Sequence, residues 1–204
     1  MQIDFIFSII ILIFSVIVHE VSHGYSAYLL GDNTAKYAGR LNLNPLNHLE
    51  WFGSFILPVL SYSLGGFILG WAKPVPFNPY NLRNQKWGEA MVAIAGPLSN
   101  ICIALFFGLL IRFGIAAQFG VPFVNISLMI VIINLVLATF NLVPIPPLDG
   151  SKILFSLIPY NMRYIRDFLE KNQLFLILVF IFFLWNLISP LVSLELKLIT
   201  GLSI

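Results

Sequence analysis

Apolar residues fall in long blocks separated by short polar stretches. From about Phe5 to Leu30 the chain reads "FIFSIIILIFSVIVHEVSHGYSAYLL". At about 1.5 Å per helical residue this crosses the roughly 30 Å hydrocarbon core of a bilayer. Comparable runs extend from about Gly88 to Phe113, through a third block ending near Leu142, and from about Gln173 to Ile188, where Pro190 is expected to stop the helix. Trp51 to Trp71 is also free of charge, but Pro58 and the Gly65-Gly66 pair interrupt it. This pattern predicts four full spans and one re-entrant segment that dips into the membrane and turns back.

The polar stretches are short. "GRLNLNPLNHLE" and "GWAKPVPFNPYNLRNQKW" read as loops or short extended pieces. Tyr160 to Asn172 reads as an amphipathic helix lying in the interface, with Arg163/Asp167 and Asp167/Lys171 spaced to pair on its wet face. Lys and Arg cluster in the loops after the first span, before the second and after the third, which places those loops in the cytoplasm and the N-terminus outside.

Composition agrees: 59% of the 204 residues are hydrophobic and 10% charged, against about 25% charged in soluble domains. The chain is therefore an all-α polytopic membrane protein, one membrane-embedded domain over residues 1–204. Its expected location is the plasma membrane of a prokaryotic cell. A net charge of +2 gives no reason to expect a nucleic-acid partner, and the lone Cys102 excludes an internal disulfide framework. The N-terminus has no basic region and no small-residue cleavage site, so the first helix is expected to be retained.

The first helix carries the chemistry. His19 and His23 are four apart, so both imidazoles lie on one helical face and can meet one ion. Glu20 between them can reach a water on that ion, the His-Glu-x-x-His arrangement of zinc hydrolases. Ser15, Ser22 and Ser26 share the histidine stripe, which should face protein or a water pocket. A catalytic zinc usually keeps three protein ligands. His48 and Asp149 are the contenders for the third. Each has a plainer role available: a solvated or capping loop histidine, and an Asp-Gly turn after prolines.

Three blocks in order, "HEVSH" at His19–His23, "AGPLSN" at Ala95–Asn100 and "NLVPIPPLDG" at Asn141–Gly150, resemble the site-2 proteases, intramembrane zinc metalloproteases that cut membrane-spanning helices. The resemblance covers roughly residues 5 to 155. It implies a three-helix catalytic core with a re-entrant segment, followed by the interfacial helix at about 160–172 and a C-terminal membrane helix at about 173–190. It implies Zn2+ held by His19, His23 and Asp149, with Glu20 activating water. Asn141 matches a family asparagine near the catalytic centre whose amide would serve a developing oxyanion. Asn134, Ala138 and Asn141 share one helical face, and Asn141 could equally cap the helix before Pro144. Asn100, three residues after the kinking Pro97, is expected to bond the carbonyls that the proline frees.

The family often adds PDZ or nucleotide-sensing domains, and this chain reads as a minimal core without them. "GWAKPVPFN" resembles the family's strand-forming segment beside the active site, which could bind an unwound substrate by β-addition. The expected partners are the lipid bilayer and transmembrane protein substrates. The alternatives are a membrane metal-binding or transport protein, which would need a second ligand set along a path, and an inactive relative that only holds client helices, for which Glu20 would be superfluous.

Overall fold

The computed structural model describes residues 2–65, 73–180 and 185–202. Among them all regular structure is helical. Helix α1, Gln2–Leu29, leads through the one-turn helices α2, Thr34–Tyr37, and α3, Pro45–His48, to a π-helical turn at Phe52–Ile56 that runs into α4, Leu57–Gly65. After the loop come α5, Gly88–Arg112; α6, Val121–Asn141; α7, Asp149–Leu157; α8, Arg163–Lys171; α9, Gln173–Val179; and α10, Trp185–Thr200. Among the described residues three stretches are long and apolar enough to cross a membrane, Phe5–Leu29, Gly88–Arg112 and Val121–Asn141; the expected fourth span, Gln173 to Ile188, includes residues 181–184, which lie outside the described residues. The three stretches pack together as α1, α5 and α6, and α7 docks on α5.

The two sides of α1 differ as its sequence requires. Ser15, Ile17, His19, Val21, His23 and Ala27 are buried, while Phe7, Ile10, Phe14, Tyr25 and Leu29 are exposed. The apolar outer side suits lipid, and the polar stripe faces α5 and α6. A second seam forms on the far side of α5 and α6, where Ala104, Val131 and Leu135 meet Phe180, Ile188, Val192 and Leu196.

Two expectations change. Pro190 does not end the last helix: α10 continues through it to Thr200. A proline deletes one backbone bond, and packing against α5 and α6 compensates, as it does for the buried Pro97 within α5. On α8 an i,i+4 ion pair beyond those expected, Arg166–Glu170, forms at 2.8 Å. The described part of "GWAKPVPFN", Lys73–Asn78, forms no strand; Gly70 to Ala72 lie outside the described residues.

The return limb of the expected re-entrant segment also falls partly outside the described residues, but its ends are fixed. Lys73 N–H donates to His48 O at 2.8 Å, and Arg83 N–H to Leu30 O at 2.8 Å. The chain therefore leaves for Trp51–Trp71 and returns on the same face of the bundle.

Asp32 anchors this face. Gly31 closes α1 with φ +109°. The bonds Gly31 N–Tyr28 O and Asp32 N–Ala27 O, at 3.1 and 2.9 Å, then turn the fully buried Asp32 inward. Its carboxylate accepts from Thr34 N and Oγ1, from Asn78 N at 2.7 Å and from Asn81 Nδ2 at 2.9 Å. Burial pushes the Asp32 carboxyl up, but these donors outweigh burial and hold it below its ordinary 3.8. Asp32→Ala should therefore cost about 2 kcal/mol or more at pH 7, measured by thermal unfolding in detergent. Because the folded value is lowered, this stabilisation is complete above the unfolded pKa and fades as pH falls through the lower folded one. The gap between wild type and variant should accordingly shrink below about pH 4.

Candidate metal centre

The centre draws on three elements. α1 supplies the imidazoles, α5 a wall and a hydrogen-bond partner for each ring, and α7 a carboxylate from its first residue. His19 Nδ1 lies 2.6 Å from Asn100 Oδ1, and His23 Nδ1 lies 2.7 Å from Val92 O. These contacts fix the protons. Val92 O is a carbonyl and can only accept, so His23 carries its proton on Nδ1. Asn100 Nδ2 is turned toward Ser15 O, also an obligate acceptor, at 3.3 Å. Its Oδ1 therefore faces His19, which must donate from Nδ1.

Both Nε2 atoms are consequently left as lone-pair donors. The two Nε2 atoms are 3.0 Å apart, and Asp149 Oδ2 lies 3.0 Å from His19 Nε2 and 3.1 Å from His23 Nε2. Asp149 is 7% exposed. Its Oδ1 lies 3.7 Å from Lys152 Nζ. Three electron-pair donors thus meet with no hydrogen-bond donor between them. A shared proton can satisfy one pair, whereas a cation central to all three satisfies each. Tetrahedral ligands at zinc distances stand about 3.3 Å apart, close to the separations found, so the donor set fits such an ion.

Glu20 stands beside the cluster. A carboxylate oxygen lies within 4.8 Å of the ligand nitrogens of His19 and His23, close enough for a single water to bridge them. Its Oε2 accepts from Val75 N–H at 2.8 Å. The segment that supplies Val75 is tied down by Lys73 N–H to His48 O, and Arg40 Nη2 donates to Lys73 O at 2.8 Å.

The other candidates fall elsewhere. His48 is fully buried, not solvated, and its Nε2 lies 2.7 Å from Asn42 O. Burial pushes its imidazole down from the ordinary value. Its described contacts are within this loop region, not with His19 and His23. Asn100 does not bond the carbonyls freed by Pro97; its amide nitrogen goes to Ser15 O and to Asn134 Oδ1 at 2.8 Å. A polar acceptor on α6 and an imidazole on α1 hold it more strongly than a local carbonyl would. Asn141 ends α6 and donates from Nδ2 to Leu137 O at 2.9 Å. Pro144 lies in the exposed turn after α6, and Gly150 is buried against the carbonyls of Leu142 and Val143.

Sequence reasoning missed Gly96. A Cβ there would sit 2.5 Å from both Nε2 atoms, so α5 can approach the imidazoles only with glycine at this position. The signal was available, since Gly96 lies inside "AGPLSN". Val75 was missed for a better reason: it contributes through its backbone, and any residue except proline has that N–H.

A polytopic helical bundle with an electron-rich polar centre buried between its helices defines an integral membrane protein with a candidate cation site at its core. The chain belongs to peptidase family M50, the site-2 proteases, whose family description matches residues 7–122 and 109–185. It is 38% identical over 161 residues to "Putative zinc metalloprotease YwhC" of Bacillus subtilis, covering 76% of this chain and 70% of that protein. It is 33% identical to "Putative zinc metalloprotease Rip2" of Mycolicibacterium smegmatis, over 67% of this chain and 51% of the relative. Against "Zinc metalloprotease MJ0392" of Methanocaldococcus jannaschii it is 27% identical, over 91% of this chain and 45% of the relative. The chain thus spans only about half the length of the latter two. No solved structure matches it significantly.

Proposed function

We propose that this chain is an intramembrane zinc metalloendopeptidase that cuts peptide bonds within or near the transmembrane segments of other membrane proteins, in the plasma membrane of a prokaryote. The observation that carries the reading is the convergence of His19 Nε2, His23 Nε2 and Asp149 Oδ2 within 3.1 Å, with a Glu20 oxygen within 4.8 Å of both imidazoles. His19, His23 and Asp149 would hold Zn2+, which when bound acts as a Lewis acid toward the scissile carbonyl and the attacking water.

The chain's own residues handle the protons. Val75 N–H holds Glu20 Oε2, leaving Oε1 to take a proton from the attacking water and return it to the leaving amine. Asn141 has one amide N–H engaged by Leu137 O and a second to offer the oxyanion. Burial of His19, His23 and Asp149 keeps bulk water from competing at the centre. A substrate helix must unwind locally to react, because helical hydrogen bonds shield its carbonyls.

A metal transporter would need a second ligand set along a path. Among the described residues the cluster at His19, Glu20 and His23 is the one group of three such side chains within reach of each other, apart from Asp149, which joins it.

The test is direct. Protein purified in detergent should contain about one zinc per chain and cleave some members of a panel of single-span helices, and chelation should stop cleavage. Asp149→Ala should lose most of its metal, and His48→Ala should keep it. Wild-type protein without bound zinc, or metal lost from His48→Ala alone, would overturn the reading.

A further inference from the structure

We propose that Asn134, in the middle of α6, is a positioning residue for His19, acting through Asn100 to fix which ring nitrogen faces the metal centre. This rests on the assignment of His19 Nε2 as a metal ligand. The bonds form a chain in one direction. Asn134 Nδ2 donates to Ile130 O at 2.9 Å and to Ser15 Oγ at 2.9 Å. Ile130 O can only accept, so the amide of Asn134 has one orientation and its Oδ1 must face Asn100. There it accepts from Asn100 Nδ2 at 2.8 Å, and Asn100 Oδ1 is left for His19 Nδ1 at 2.6 Å. Asn100 and Asn134 are both fully buried, so no solvent stands in for a missing partner.

Asn134 matters because Asn100 is otherwise held weakly. Its remaining orienting contact is the 3.3 Å bond to Ser15 O, at the long limit for N–H to O. An Asn100 amide turned over would present Nδ2 to His19, which would then carry its proton on Nε2, inside the cluster. His19 in that tautomer cannot give Nε2 to a metal. Asn134 thus supports a bond partner of the ligand, and such support is typically worth 10–100-fold in affinity, about the lower figure being expected one bond further out. His23 is independent of this chain, because its Nδ1 goes to the backbone at Val92. The effect should therefore fall on one imidazole of the pair.

Asn134→Leu keeps the approximate volume and removes both arms. Asn134→Asp keeps an oxygen for Asn100. Zinc affinity, measured by chelator competition on the purified protein in detergent, should fall about tenfold or more in Asn134→Leu and stay within about threefold of wild type, or rise, in Asn134→Asp. In 15N-histidine NMR of the zinc-free protein, whose three histidines give a sparse spectrum, wild-type His19 should be protonated on Nδ1. Asn134→Ser, too short to reach Asn100, should show a mixture of tautomers at His19 alone and serves if the leucine variant does not fold. A merely structural role would lower thermal stability without moving the tautomer. Unchanged zinc affinity in Asn134→Leu, or an unchanged His19 signal in Asn134→Ser, overturns the relay while leaving the metallopeptidase reading intact. Wild-type protein that binds no zinc would instead sink that reading.

Discussion

Glu20→Gln should abolish most peptide hydrolysis while leaving the metal in place. Glutamine is nearly isosteric, and its side-chain oxygen can still accept from Val75 N–H, so the loop should stay where it is. What is lost is the ability to take a proton at the second oxygen. Turnover should fall by at least roughly a hundredfold, the usual scale for general-base loss, with bound zinc per chain unchanged. The metal measurement separates two roles. A carboxylate within 4.8 Å of both imidazoles could in principle swing in as a ligand, and then zinc would fall together with activity. Asp149 Oδ2 already occupies the position touching both nitrogens, so the expected result is catalytic loss alone. Near-normal turnover in Glu20→Gln would remove this side chain from the proton-transfer steps.

Gly96→Ala should be as damaging by the opposite route, losing metal first. Helix propensity alone predicts a gain of about 1 kcal/mol from replacing a mid-helix glycine by alanine. The added methyl would instead stand 2.5 Å from both Nε2 atoms. Either the imidazoles rotate away or α5 withdraws, and overpacking of this kind typically costs about 1–3 kcal/mol. Zinc affinity should drop at least about a hundredfold, as expected when ligands are displaced from first contact with the ion. Normal zinc content and cleavage in Gly96→Ala would mean that the α5–α1 approach is looser than described.

The spans were legible because hydrophobicity is a local property of long runs, and α1, α5 and α6 end within a few residues of the expected positions. The pairing of His19 with His23 was legible for a similar reason, since helical geometry fixes side chains four apart. Asp149 was different. From local pattern alone it was as much a turn residue as a ligand and only somewhat better placed than His48, because the information that separates them lies in an approach across 126 to 130 residues. The resemblance settled it. Asn134 shows an intermediate case. Its inward face could be read from period, but not its partner, because an amide can serve a carbonyl of its own helix or one across the bundle. Pro190 misled because the rule that proline ends helices is a rule for water, and tertiary packing in an apolar setting weakens it.

The polar centre also has an order of manufacture. The ribosome delivers α1 first, with Ser15, His19, Glu20 and His23 already spaced along it. Their partners Asn100 and Asn134 emerge 81 and 119 residues after the groups they serve, and Asp149 follows His23 by 126. At about 5–20 residues per second, the first helix waits roughly 6–25 s for its last partner. Throughout that interval the apolar outer residues must hold the helix in the bilayer while its polar stripe lacks those partners. The centre is thus completed only when the nascent chain has passed residue 149, and a premature stop before that point leaves two imidazoles in the membrane without their carboxylate.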